Sequence, residues 1–388
     1  MKKIMILGGD NTSDRFGSAL AGKILEKCPY VTLFGVGGPL MNDAGVRLLY
    51  DISEQVSLGI FMSMRGSPVA KRMMKLVVDA MEREEPTLVL QIGLPIFGYK
   101  LLEIARAKGI PVLYYYTPLS RGLGSVRVSD FPKVVDKVAS ISRFETAKCE
   151  EVGVDCEFVG HPLMDLADFL STPGEARAKL GIESDETKVV AVLPGARKIE
   201  VKSVLPNILK ALDIVTRQHD DDDVEVIVSM APSIRSSLVD EIVKGCTAKN
   251  VRLERDIYNV LRAADLAVTS IGTSSLEASL LGVPSVAVYR VPQSTYLVDK
   301  LLDRKPTMTI TNNILRKNVI PEFVQRDVSP SKMAETLELL LFDANARQSM
   351  LDEFTNLGYE LGEPGSVDRA ANLVVEMARC SRDESTSR

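Results

Sequence analysis

Short apolar runs alternate along the chain with stretches whose apolar residues recur every three or four positions. The runs fit strands buried on both faces, and the 3.6-period stretches fit amphipathic helices. The first half predicts strands at Lys3–Leu7, Val31–Gly35, Leu88–Ile92, Val112–Tyr116 and Lys137–Ile141, with helices such as Arg15–Lys27 and Pro68–Glu84 between them. A polar segment containing Gly and Pro, Ser171–Lys188, interrupts this rhythm. It then restarts with strands Val189–Leu193, Val224–Ser229, Leu266–Thr269 and Ser285–Val288 and helices including Ile199–Arg217 and Ser274–Leu281. Pro330–Ala378 reads as helices, and the tail beyond is expected to fray. The alternation predicts two Rossmann-like parallel α/β domains, residues 1–165 and 166–345, and C-terminal helices at 346–388 packing back on the first domain. Parallel sheets bind ligands beyond the carboxyl ends of their strands, so two facing domains are expected to share an interdomain cleft.

Composition narrows the partners. A length of 388 residues fits two domains at about 150 residues each. Lys+Arg 47 against Asp+Glu 52, a net charge of −5, lacks the cation surplus that nucleic acid requires. Hydrophobic residues at 45% and charged residues at 26% exclude a disordered chain. Trp is absent and His occurs only at 161 and 219, which excludes a His-rich metal site; neither metal nor cofactor is expected. Five scattered Cys without a C-x-x-C pair point to a reducing, cytoplasmic setting and thiols packed as small hydrophobes. No apolar run reaches about 18 residues, so no bilayer span is expected. The start MKKIMILGGD fits a buried first strand better than a signal peptide.

Three strand-to-helix turns carry candidate chemistry. Gly8-Gly9-Asp10-Asn11-Thr12-Ser13-Asp14 combines small residues with capping side chains, and reads either as a ligand loop or as a plain turn and cap. It lacks the G-x-G-x-x-G of a dinucleotide fingerprint. Leu193-Pro194-Gly195-Ala196-Arg197-Lys198-Ile199-Glu200 reads either as backbone amides and a guanidinium suited to a pyrophosphate or as a helix start with solvated charges. Ser270-Ile271-Gly272-Thr273-Ser274-Ser275-Leu276-Glu277 reads in part as a helix start capped by Ser274 or Ser275, and adds a carboxylate one turn in that would accept hydrogen bonds from vicinal sugar hydroxyls. His161, beside Gly160 and Pro162, is a further candidate; His219, beside Asp220–Asp223, reads as surface, and Tyr114–Tyr116 as strand packing.

Gly-Thr-x-x-Leu-Glu at 272–277, Leu-Pro-Gly-x-Arg-x-x-Glu at 193–200 and Val-Gly-His at 159–161 together resemble lipid-A-disaccharide synthases, bacterial glycosyltransferases of the GT-B type. Gly37-Gly38-Pro39, Leu58-Gly59-Ile60, Ala264-Asp265, Tyr289-Arg290 and Asn313 extend the resemblance over nearly the whole chain. It implies transfer of a diacylglucosamine from its UDP derivative to diacylglucosamine 1-phosphate, with inversion, no metal and peripheral attachment to the inner membrane. It places Arg197, Glu200, Gly272, Thr273, Ser274, Ser275, Glu277 and Asn313 on the UDP-sugar, with Arg197 and Thr273–Ser274 at the diphosphate and Glu277 at the ribose.

The acceptor half departs from the family pattern. Gly-Glu-x-Ser-Gly-Asp appears as Gly9-Asp10-Asn11-Thr12-Ser13-Asp14, and Ile-Asp-x-Pro-Asp-Phe as Ile92-Gly93-Leu94-Pro95-Ile96-Phe97, which loses both carboxylates. Trp-Ala-Trp-Arg is replaced by Arg121-Gly122-Leu123-Gly124. Asp10, Asp14 and His161 are therefore the candidate catalytic groups, Asp10 first. The alternatives are a UDP-sugar epimerase or hydrolase, and a paralogue that binds UDP-sugar without turnover. The apolar and basic stretch from Ile60 through Lys71, Arg72 and Lys75 reads as an interfacial surface or as helix core. A homodimer is left open.

Overall fold

A computed structural model describes residues 2–52, 68–93, 99–117, 128–169, 171–219, 224–231, 233–247, 250–290 and 309–380. They form two compact units, one built from residues up to Asp165 and from Leu361 onward, the other from Leu166–Glu360.

The first unit holds strands β1 (Lys3–Gly8), β2 (Thr32–Gly37), β3 (Arg47–Asp51), β4 (Leu88–Ile92), β5 (Val112–Tyr115), β6 (Lys137–Ser140) and β7 (Cys156–Phe158). Its helices are α1 (Asn11–Lys27), α2 (Pro39–Asp43), α3 (Pro68–Glu84), α4 (Lys100–Ala107), α5 (Phe131–Val134) and α6 (Arg143–Glu151). All strands run parallel in the order β3-β2-β1-β4-β5-β6-β7.

The second unit repeats the plan with β8 (Lys188–Leu193), β9 (Val224–Ser229), β10 (Val251–Glu254), β11 (Leu266–Ser270), β12 (Ser285–Tyr289) and β13 (Glu322–Val324). Helices α7 (Pro173–Lys179), α8 (Lys198–Gln218), α9 (Ser236–Lys244), α10 (Ile257–Ala263), α11 (Thr273–Leu280), α12 (Ile310–Leu315), α13 (Pro330–Phe342) and α14 (Ala344–Leu361) accompany them. The parallel order is β10-β9-β8-β11-β12-β13. The last helix, α15 (Ser366–Met377), belongs to the first unit, packs along α1 and ties to it through Lys27 and Asp368 at 2.8 Å.

Central strands are buried on both faces, which explains their unbroken apolar runs. In β8, Val190 and Val192 join Leu205, Leu209 and Leu212 of α8 in one core, while Val189, Ala191 and Leu193 join Val260 and Leu261 of α10 in the other. The strands that periodicity does not reveal, β3, β7, β10 and β13, are the four sheet edges, and none of their residues is fully buried. Helix α1 also begins four residues earlier than its apolar pattern predicts, because Asp10 and Ser13 form a capping box ahead of the first apolar position.

In each sheet the chain reverses its direction of growth between two adjacent strands, β1 and β4 in the first and β8 and β11 in the second. The loops leaving the carboxyl ends of such a pair diverge to opposite faces and open a crevice for a ligand. All three candidate turns lie at these two points.

Candidate functional site

In the second unit, β8 ends in the turn 193–197 and its neighbour β11 in the turn 270–272, with Leu193 paired to Thr269. Gly195 takes φ +112°, and a β-carbon there would fall 2.6 Å from Glu200 Oε2, so this loop requires glycine. Glu200 reaches back over it. Its Oε2 accepts the Arg197 backbone N–H at 3.3 Å, and its Oε1 lies 3.2 Å from the Arg197 guanidinium. Burial pushes the Glu200 carboxyl above its usual range, and the Arg197 charge opposes that shift. Glu200 thus holds the loop, while Arg197 remains more than half exposed and able to meet an anion. Ser233, from the loop after β9, fastens the same turn by donating to the Ala196 carbonyl at 2.8 Å.

Helix α11 starts at Gly272 with no side-chain cap. Ser275 Oγ donates to the Gly272 carbonyl at 2.8 Å and Ser274 Oγ to the Ser270 carbonyl at 3.4 Å, so both hydroxyls turn onto carbonyls rather than onto the first-turn amides. A helix N-terminus in this condition presents N–H groups and the positive end of the helix dipole. One turn on, the buried Glu277 accepts a hydrogen bond from the Tyr258 hydroxyl of α10, 3.1 Å from Oε1. Tyr258 carries no sequence signal linking it to Glu277; only the fold brings the two together. Helix α12 docks on α11 through Ser279 and Thr311, 3.0 Å apart. Asn313 lies half-buried on α12, while its neighbour Asn312 is wholly buried and spends its amide on the Ile320 carbonyl, Glu322 and the Val319 and Ile320 N–H groups.

In the first unit, Asp10 caps α1, its Oδ1 accepting the Ser13 N–H at 2.7 Å. Ser13 Oγ in turn accepts the Gly9 and Asp10 N–H groups, each at 2.8 Å, and shapes the loop. Asp14 is placed differently. It lies inside α1, buried, with its carboxylate accepting the N–H groups of Gly38, Leu40 and Met41 at 2.9, 3.2 and 2.9 Å. It caps α2 across the unit, a role opposed to proton abstraction. His161 is also buried. Its Nδ1 accepts the Leu163 N–H at 3.1 Å, which assigns the ring proton to Nε2, and its ring packs edge-on to Phe16 and Tyr116.

Gly93 follows β4 with φ +67°, pinned by the Tyr114 hydroxyl on its carbonyl at 2.8 Å. A β-carbon at this position would lie 3.2 Å from Ser13 Cβ and 3.6 Å from Asp10 Oδ1. The space available to a residue 93 side chain is therefore bordered by Asp10. Leu58-Gly59-Ile60 and the residues that follow it to 67, Leu94–Phe97, Arg121–Gly124 and Asp220–Asp223 lie outside the described residues. Among the described residues no group of three or more His, Cys, Asp or Glu could hold a metal ion, and no helix is long and apolar enough to cross a membrane.

Residues 4–374 match the LpxB family, lipid-A-disaccharide synthetase. The lipid-A-disaccharide synthase of Syntrophus aciditrophicus is 31% identical over 384 residues, covering 98% of this chain and 99% of its own. That of Geobacter sulfurreducens is 31% identical over 376 residues, covering 97% of each. Among solved structures, the S. aureus MnaA–UDP co-structure superposes with a TM-score of 0.65 at 14% identity, covering 98% of both chains. The calicheamicin glycosyltransferase CalG4 gives 0.61 at 15%, covering 99% of both. At such identities these structures establish the fold, which is GT-B-like.

Proposed function

The chain belongs to the lipid-A-disaccharide synthetase family of lipid A biosynthesis, and on that premise we propose which of its residues carry the glycosyl transfer. The second unit takes the UDP-sugar donor: Arg197 and the first-turn amides of α11 at Thr273–Ser275 receive the diphosphate, and Glu277 the ribose hydroxyls. Glu200 serves by holding Arg197, and Asn313 lies on the helix docked beside α11. The observation that carries this reading is the pairing of a half-exposed guanidinium with an uncapped helix N-terminus at the carboxyl ends of adjacent strands. A guanidinium and oriented amides stabilise the charge that builds on a departing diphosphate.

The acceptor is a diacylglucosamine 1-phosphate. Its hydroxyl oxygen attacks the anomeric carbon from the face opposite UDP, the bond to the β-phosphate oxygen breaks, and the configuration inverts. The hydroxyl proton passes to Asp10. Asp10 is favoured over the other two candidates because Asp14 is saturated by three amides and His161 is sealed in the core with Nδ1 already engaged. Gly93 leaves Asp10 room on the side where the family pattern has an acid.

Attachment to the membrane surface is supported by α3, where Lys71, Arg72, Lys75 and Leu76 are exposed while Met73 and Val77 are buried in the core. Basic residues beside an apolar one suit an anionic lipid surface. Flotation with anionic vesicles, lost at high salt and weakened by Lys71→Glu with Lys75→Glu, tests that attachment.

The purified protein, given UDP-2,3-diacylglucosamine and diacylglucosamine 1-phosphate, should release UDP only when both are present. UDP or a new UDP-sugar formed without acceptor would indicate a hydrolase or epimerase instead. UDP-sugar affinity without turnover would indicate a binding paralogue.

A further inference from the structure

We propose that Tyr258 is a positioning residue of the donor site, setting through Glu277 the selectivity of the second unit for a ribonucleotide over a deoxyribonucleotide. The inference rests on the reading of Glu277 as the ribose partner and extends it to a second helix. Glu277 is 5% exposed, a costly place for a carboxylate without partners. The Tyr258 hydroxyl donates to Oε1 at 3.1 Å, across 19 residues of sequence.

The helix that carries that hydroxyl is firmly placed. Helix α10 is capped by Asp256, which accepts the Asn259 N–H at 3.1 Å and the Asn259 side-chain amide at 2.6 Å. Val260 and Leu261 anchor the next turn in the core beneath β8. The helix that carries Tyr258 is therefore anchored independently of Glu277, and its hydroxyl meets the carboxylate from that fixed backbone. A carboxylate serves two vicinal hydroxyls only when its plane is set toward them. One left to rotate forfeits part of that selectivity. Phenylalanine at 258 would keep the ring and its packing and remove only the hydroxyl.

Titration calorimetry with UDP and 2′,3′-dideoxy-UDP tests both layers, using the full chain, Tyr258→Phe and Glu277→Gln. Wild-type protein should prefer UDP by on the order of tenfold or more, the weight of a hydrogen bond to a charged group. Glu277→Gln should erase most of that preference. Tyr258→Phe should reduce it about three- to tenfold by weakening UDP alone, with the Kd for the dideoxy nucleotide little changed and the melting temperature lowered only modestly by the lost hydrogen bond to the buried carboxylate. Equal weakening of both nucleotides, or no change in either, would overturn the role given to Tyr258. A wild-type protein indifferent to the ribose hydroxyls would instead overturn the reading of Glu277.

Discussion

Oδ1 of Asp10 lies 3.6 Å from the point where a β-carbon on Gly93 would begin. The two residues open neighbouring strand connections, after β1 and β4, and the family pattern carries an acid at each of these positions. Here only the first remains, shortened to aspartate.

Gly93→Asp restores the second acid. Aspartate is among the L-residues that tolerate a left-handed backbone, yet the contact with Ser13 Cβ at 3.2 Å is tight, so a loss of about 1–2 kcal/mol in stability is expected. Two carboxylates this close cannot both ionise freely. The acid limb of kcat/KM should move upward by about one pH unit, and an unmoved limb would separate Asp10 from the chemistry.

Asp10 and Asp14 should respond in opposite ways. Asparagine caps a helix about as well as aspartate, so Asp10→Asn should leave the unfolding midpoint nearly unchanged while UDP release drops on the order of 10²–10⁴-fold. Asp14→Ala strands the amides of Gly38, Leu40 and Met41 at the start of α2 and should cost about 3 kcal/mol in urea unfolding. A stable Asp14→Ala protein without turnover would reverse these assignments.

Glu200 links stability to pH through its raised carboxyl pKa. A carboxyl that protonates more readily in the fold favours the folded state fully below its unfolded pKa. That contribution is lost as pH rises through the folded value. Glu200→Gln removes the dependence, so the variant should gain stability relative to wild type as pH climbs out of the carboxyl range. It also removes the charge partner of Arg197, and the donor KM should rise a few-fold with kcat less affected. Chemical unfolding at several pH values and steady-state kinetics read the two effects.

Asp165 accepts the N–H groups of Gly365, Ser366 and Val367 at 2.7, 2.9 and 2.8 Å and so caps α15 from 200 residues away. Ser366 adds a hydrogen bond to the Gly160 carbonyl at 2.6 Å. Asp165→Ala should lower stability by about 2 kcal/mol and release α15. Limited proteolysis should then cut near residues 362–365 faster than in wild type, and an unchanged cleavage pattern would show that packing along α1 suffices to hold the helix.

The interiors of both sheets, the turns at 193–200 and 270–277 and the family were legible in the amino-acid order. Strands buried on both faces must be apolar throughout, and a tight turn from strand into helix selects glycine and small polar residues. The four edge strands were not legible, because a half-exposed edge carries no periodic apolar signal. Nor was the division of labour among the acids: Asp10 and Asp14 look alike in a polar loop, and only α2 packing against α1 turns one of them into a buried cap. The buried state of His161, the structural work of Asn312 beside Asn313 and the reach of Tyr258 to Glu277 were likewise decided by the tertiary structure. Each depends on which distant backbone or side chain comes within about 3 Å, the range in which hydrogen bonds form, and local sequence does not encode that distance.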